Sequence, residues 1–513
     1  MGNRKRFAIN TFAQIFTFIV SLGITFFLTP YIVNRLGAAA YGFVGLANNF
    51  VSYVQLLTIA LNSMASRFIA LHVHKNQMDD ARKYFSSVFF SNLFLVSIIS
   101  VVSIVVIYQL EYIIKIPENL LNDVKLLFLC TFVNFFISLV FNVFNTSTFI
   151  KNRLDLSSTR TIISNIIRAI LLILLFYLFA PAVWFIGLVS IICTIYIVIT
   201  NIHFRNKLVP ELKVSIKYFD FSKIKELISS GVWSVVSKVN GIMGHGLELL
   251  IANLFVGAGP MGILAISRRI PSLMLGLYEK INAVFAPPWI KLYAEGKQKE
   301  LEKELSKAIR FFGFISFIPT AILFVFCDWF YELWLPSQNA RQLYLVTLVA
   351  CVDLPFSMPL QPIYNIYVIT NRIRANSLFG LGLYAGVLIC VLVGVHLTDN
   401  ILYLLIILGG TSSVFKLLKS LTFLPIYGAY CAKMKVGQLY KNTFKSVFAL
   451  FVLLPILFMI RNIFDSPSWV NLFLCVGISF VLGSVLGCLF ILNARDRLVL
   501  LEIIQKVKSK IYR

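Results

Sequence analysis

LGAAAYG at residues 36–42 and VGAGPMG at residues 256–262 decide the fold, because they are one turn written twice. Gly37 and Gly42 recur as Gly257 and Gly262, at an offset of 220. Each pair closes one apolar run and opens the next. The polar stretch Gln77 to Tyr84 recurs as Lys297 to Glu304 at the same offset, and Ile150-Lys151-Asn152-Arg153 recurs as Ile369-Thr370-Asn371-Arg372 at 219. Gly pairs and Asn-Arg pairs are common singly, but three matches in register imply a duplicated unit. Two parallel helical repeats are a carrier architecture, with the substrate site between the repeats.

The composition fits. Hydrophobic residues make up 59% of the 513 residues, against about 45–50% in soluble domains. Apolar runs of about 20 residues recur throughout, the length that a hydrocarbon slab of roughly 30 Å demands of a helix. The expected fold is all-α and polytopic, with about fourteen spans at residues 7–29, 41–70, 85–108, 124–150, 158–180, 182–204, 226–256, 262–290, 306–328, 343–369, 374–396, 399–428, 440–461 and 468–493. The N-terminal apolar run is too long for a signal-peptide core and lacks a small-residue cleavage site, so it reads as an uncleaved first span.

The repeat divides the chain into an N-terminal six-helix lobe (1–204), a basic linker (205–223), a second six-helix lobe (224–430), two unduplicated spans (431–493) and a basic tail (494–513). Leu498, Leu501 and Ile504 in that tail recur at helical spacing, as in a helix lying on a membrane surface. Of 46 Lys and Arg residues, 33 fall in segments on the side of the N-terminus and five on the other, with Arg160 counted in a loop. By the positive-inside rule both termini are cytoplasmic. Most of the +24 net charge is therefore topological, with attraction to anionic headgroups, and nucleic-acid binding is not indicated. The eight cysteines include no CxxC pair and read as packing residues, with no metal site.

Ionisable residues within spans are costly and mark function unless they reach water at a helix end. Arg67, Lys416 and Lys419 lie near such ends and are expected to snorkel. Arg168 and Lys238 are deep, and Arg268, Arg269 and Lys280 share span eight. Buried negative charge is limited to Glu248, Glu279 and Asp353. Cations in this excess predict a hydrated cationic cavity that suits an anionic passenger, phosphate above all, since guanidinium groups bind it in a fork. The candidate substrate-binding residues are Arg268, Arg269, Lys238, Arg168, Lys280 and Arg67. His245, Glu248 and Asp353 are candidates for ion coupling or ion pairing, and no residue is assigned a catalytic role. Gly257-Ala-Gly259-Pro-Met-Gly262 fits GxGxxG and Ser413-Val-Phe-Lys416 fits SxxK, but both lie among membrane helices without the context those motifs need.

Asn34-Arg35-Leu-Gly37-Ala-Ala-Ala-Tyr41-Gly42 after the first span, Ser66-Arg67 in span two and the Asn152-Arg153 turn together resemble the Wzx-type flippases. These are the polysaccharide branch of the multidrug/oligosaccharidyl-lipid/polysaccharide superfamily. The resemblance implies no cofactor and no enzymatic step. It implies a lipid-linked oligosaccharide on undecaprenyl pyrophosphate as substrate, membrane lipids as surroundings, and a glycan polymerase and glycosyltransferases as candidate partners. The location implied is the bacterial inner membrane. Lipid II flippases compete for the reading, with similar span number and cationic cavity. Multidrug exporters of the superfamily compete less well, having fewer spans and acidic sites.

Overall fold

The computed structural model describes residues 3–370, 372–464, 466–494 and 496–497, and every regular element among them is helical. The apolar tail positions Leu498, Leu501 and Ile504 lie outside the described residues. Twelve helices are long and apolar enough to cross a membrane, or thirteen when the pair bent by 57° at Ala340–Ser357 and Pro362–Ile369 is taken as one span. The eighth expected span, residues 262–290, is present but broken into Ala258–Ser267, Arg269–Ala283 and Ala286–Ala294. Prolines explain both departures. Pro271 offers no N–H to the Ser267 carbonyl one turn back, and the Thr347 hydroxyl donates to that carbonyl instead, at 3.3 Å. Pro287 and Pro288 follow the second break, and Pro355, Pro359 and Pro362 sit in the bend of span ten.

The backbone repeats with the sequence. Gly37 (φ 84°) and Gly257 (φ 116°) both take left-handed conformations, and so do Asn76 (φ 59°) and Gly296 (φ 69°). Each pair is 220 residues apart, so the duplicated turns share dihedral angles that few side chains tolerate.

The chain divides into two compact units between Ile266 and Ser267, so residues 221–266 belong to the first unit by packing. The reason lies in how residues 221–266 are held. A Cβ on Gly231 would lie 1.9 Å from the Ala60 carbonyl oxygen, and one on Gly262 would lie 2.1 Å from that of Ala38. Gly42 packs directly on Gly262, so the two repeat-equivalent glycines meet. Small residues let these helices touch backbone to backbone, which supplies the dispersion energy that a lipid surround cannot. Polar contacts reinforce the approach. The Asn253 side chain makes two hydrogen bonds with the Lys115 backbone, at 2.8 and 2.9 Å. Lys223 pairs with Asp80 at 3.3 Å, and the Tyr84 hydroxyl donates to Glu226. The linker itself is docked on the start of span three, where the Ser87 hydroxyl bridges the backbone N–H and carbonyl of Asp220.

In the second unit the long helix Gln298–Trp334 is the most buried of the spans. The unduplicated spans, Val436–Ile463 and Trp469–Phe490, pack against it through Gly313, Gly483 and Gly487. Ion pairs fasten both ends. Arg310 meets Asp496 at 2.7 Å, and Arg461 pairs with Asp328 while stacking on Trp329 at 5.3 Å. Elsewhere large apolar side chains point outward, among them Phe27, Val101, Tyr177, Met459 and Val481. Exposure of that extent suits hydrocarbon and would drive aggregation in water.

Candidate functional site

The break before Arg269 sets the site. Arg268 caps the helix Arg269–Ala283 and Arg269 begins it, which places two guanidinium groups at the positive end of a helix dipole, where cations are disfavoured. Such an arrangement needs compensation, and for Arg268 it is visible. Its Nη2 donates to the Gly409 carbonyl at 2.9 Å and to the Ser412 hydroxyl at 3.3 Å. Asp353, only 5% exposed, sits at the break of span ten, accepts from Ser357 at 2.9 Å, and feels the charges of both Lys416 and Arg268. One carboxylate thus serves two cations. Arg269 is different. Both arginines are half-buried and in both the Nε makes no hydrogen bond among the described residues, but the Arg269 guanidinium has no counterpart there to the bonds that Arg268 makes to Gly409 and Ser412.

The other expected residues distribute between the units. Lys280 lies on the Arg269 helix and is exposed, about 16 Å along the axis at 1.5 Å per residue. Lys238, Arg67, Arg168 and Glu248 belong to the first unit. Lys238 is half-buried in Phe221–Gly241 and Arg67 is exposed, each without a hydrogen-bond or ion-pair partner among the described residues. Arg168 is half-buried and acts electrostatically on Cys193. Glu248 is buried, at 4% exposure. The His245 side chain lies outside the description, but its backbone falls in a π-turn, Ile242–Gly246. Asn49 and the Tyr53 hydroxyl both donate to the Gly246 carbonyl, at 2.8 and 2.6 Å. A second π-turn follows at Ala252–Val256. Insertions of this kind in a helix often sit at functional sites. Among the described residues no group of three His, Cys, Asp or Glu side chains could hold a metal ion, and all eight cysteines are free.

Two expectations need correction. Lys419 does not snorkel: it is 9% exposed and its ammonium lies 5.6 Å over the Tyr364 ring. Arg160 is not a loop cation. It is 8% exposed and donates to the side-chain oxygens of Asn201 and Asn145. The face that sequence reading missed is Ser412, Lys416 and Lys419, spaced four and three residues apart on span twelve. Small polar residues at that spacing alongside lysines were available as a sign of an inward-facing row.

The sequence model of the polysaccharide biosynthesis protein family matches residues 32–340. The chain belongs to that family. The chain is 27% identical over 514 residues, 99% of each sequence, to a relative within the same range of length, the uncharacterized membrane protein EpsK of Bacillus subtilis (strain 168). Among solved structures, the lipid II flippase MurJ in an inward closed conformation superposes with a TM-score of 0.66 at 16% identity, over 94% of this chain and 98% of that one. An inward-facing multidrug resistance MATE family transporter of the MOP superfamily gives 0.64 at 15% identity, over 81% and 99%. At such identities these structures establish the fold. This member of the polysaccharide biosynthesis family is a multi-pass membrane protein with the fold that these two structures share.

Proposed function

We propose that the protein is a flippase that moves a polyprenyl diphosphate-linked oligosaccharide across the cytoplasmic membrane by alternating access. The observation that carries this reading is the set of cations at the broken span eight, where Arg268 is held by Gly409 and Ser412 and the buried Arg269 Nε makes no hydrogen bond among the described residues. Discontinuous helices with free polar groups are where carriers of this kind hold polar substrates. Arg269 and Lys280 of the second unit hold the diphosphate, Lys238, Arg168 and Arg67 are further candidate cations on the first unit, and the lipid tail stays in the bilayer. Carrying a diphosphate and sugar hydroxyls bare through hydrocarbon would leave every polar group unsatisfied, at several kcal/mol each. Arg268 and Asp353 hold the site together, and Glu248 with His245 supplies the coupling or pairing charge in span seven. The protein is not an enzyme in this reading, and it takes no cofactor.

Heat protection tests the substrate class. A polyprenyl diphosphate glycan is expected to raise the melting temperature of the purified protein, whereas lipophilic cationic dyes leave it unchanged. Protection by the dyes and not by the glycolipid would favour a drug exporter. Protection by lipid II alone would transfer the assignment to peptidoglycan precursors.

The 33-to-5 charge asymmetry supports cytoplasmic termini and a cytoplasmic linker, and the likeness to bacterial flippases supports the inner membrane as the location. A reporter active only outside the cytoplasm is expected to give activity when fused after Gly259 and none after Asn206 or Gly296. Activity at Asn206 would overturn the orientation.

A further inference from the structure

The duplicated turn after spans four and ten differs in charge between its two copies, an acid in the first standing where the second has an arginine. In the first copy, Asn152-Arg153-Leu154-Asp155, the acid neutralises the arginine in a fork: Arg153 Nε and Nη2 each donate to Asp155 at 2.9 Å. In the second copy, Asn371-Arg372-Ile373-Arg374, the position equivalent to Asp155 is Arg374. Arg372 turns instead onto the Tyr430 ring, with its guanidinium carbon 4.6 Å from the centroid, and Tyr427 donates to the Arg372 carbonyl at 3.2 Å. Tyr427 in turn continues a stack through Phe423 to Phe379, at 5.1 and 4.1 Å, which fixes the platform beneath the arginine.

The same apolar cluster seats Ile369, Ile373, Tyr427, Cys431, Ala432 and Met434, so the turn at Arg372 and the turn at Lys433 share one edge of the second unit. Lys433, Lys435 and Arg374 are exposed there. No acidic residue occurs in residues 354–398 or 400–464. The neighbouring segment carries four acids, of which Glu295 pairs with Lys297 and Glu304 with Lys307, while Glu300 and Glu302 alternate with Lys299 and Lys303 in the sequence. Beside the cations lie outward apolar groups, Val368, Ile426 and Tyr430, each more than half exposed.

We propose that this edge is a binding site for an anionic phospholipid, with its phosphate on Arg372, Arg374 and the Lys433–Lys435 turn and its acyl chains along Val368 and Ile426. Cations beside lipid-exposed aliphatic groups match a headgroup phosphate joined to a chain, and a basic residue near a membrane surface strengthens anionic-lipid binding several-fold. The cations lie beside aliphatic groups exposed at the outer surface, so the occupant is bulk lipid and not the transported carrier. The leaflet, cytoplasmic, rests on the orientation proposed above, but the site does not.

The test is native mass spectrometry of the full-length protein titrated with phosphatidylglycerol against phosphatidylcholine. Arg374→Asp restores the acid of the first copy and is expected to weaken phosphatidylglycerol binding roughly 30-fold, for a change of two charges, and Arg374→Gln roughly five-fold, for a change of one. Phosphatidylcholine binding should not change. Should Arg374→Asp fail to fold, Arg374→Gln and Tyr430→Ala carry the comparison. Undiminished phosphatidylglycerol binding in the folded variants would overturn the proposal, as would a site filled by a polyprenyl diphosphate and not competed by phosphatidylglycerol. The readout is bound lipid and not transport, so its failure leaves the flippase reading untouched.

Discussion

Replacing Arg269 by alanine is expected to abolish surface glycan export at normal membrane abundance, while replacing Arg268 is expected to deplete the folded protein. The two neighbours differ in what surrounds them. Arg268 is spent on the structure: it satisfies the Gly409 carbonyl and the Ser412 hydroxyl. Removing it leaves those buried acceptors unsatisfied, at about 1–3 kcal/mol each. Arg269 has no such duty among the described residues, and its buried Nε gains a partner only when an anion arrives. Losing one charge-assisted contact of about 1.5–3 kcal/mol corresponds to a transport loss of roughly 10- to 100-fold. Arg269→Lys should recover part of it, because an ammonium supplies charge without the fork. The measurement is surface polysaccharide per folded transporter. Normal export by Arg269→Ala together with lost export by folded Arg268→Ala would reverse the assignment.

A second large effect is steric. Gly262→Ala would place a Cβ 2.1 Å from the Ala38 carbonyl oxygen and 2.3 Å from its carbon, atoms of a backbone that cannot swing aside as a side chain can. The expected cost exceeds about 3 kcal/mol, the upper end of ordinary overpacking. Gly42→Ala meets the mobile end of Met261 at 2.8 Å but also the Gly262 Cα at 2.9 Å, and should be milder. Gly259→Ala has open space around it and should be neutral. Melting temperatures in detergent check the ranking. Equal stability of the Gly262 and Gly259 variants would show that the two repeat-equivalent turns do not touch.

Much of the fold was legible because its determinants are local. Span length follows from runs of apolar residues, and the duplication shows in Gly37 and Gly257, whose positive φ demands glycine in both copies. The breaks were less visible because a hydropathy window averages over Pro271 or Pro355, and the partner that takes the freed Ser267 carbonyl, Thr347, lies 80 residues away. The unit boundary was not legible for the same reason. Whether residues 221–266 stay with the helices before the linker depends on Gly231 meeting Ala60 and Asn253 meeting Lys115, contacts that carry no periodic trace. In the site, charge number was readable and pairing was not. Arg268 and Arg269 are indistinguishable as letters, and only the helix start between them turns one toward Gly409. Lys419 looked able to reach water by its distance from a helix end, yet the Tyr364 ring lies beneath it.

The central claim, that cations at the broken span eight carry a lipid-linked diphosphate across the membrane, is tested most directly in reconstituted vesicles. The purified protein is placed in liposomes containing a fluorescent polyprenyl diphosphate oligosaccharide, and the fraction of headgroup reachable by a membrane-impermeant quencher is followed in time. The account predicts rapid equilibration between leaflets with the native protein and with Gly259→Ala, and none above protein-free vesicles with Arg269→Ala combined with Lys238→Ala. Equal equilibration by the double variant, in vesicles holding the same amount of folded protein, would contradict it.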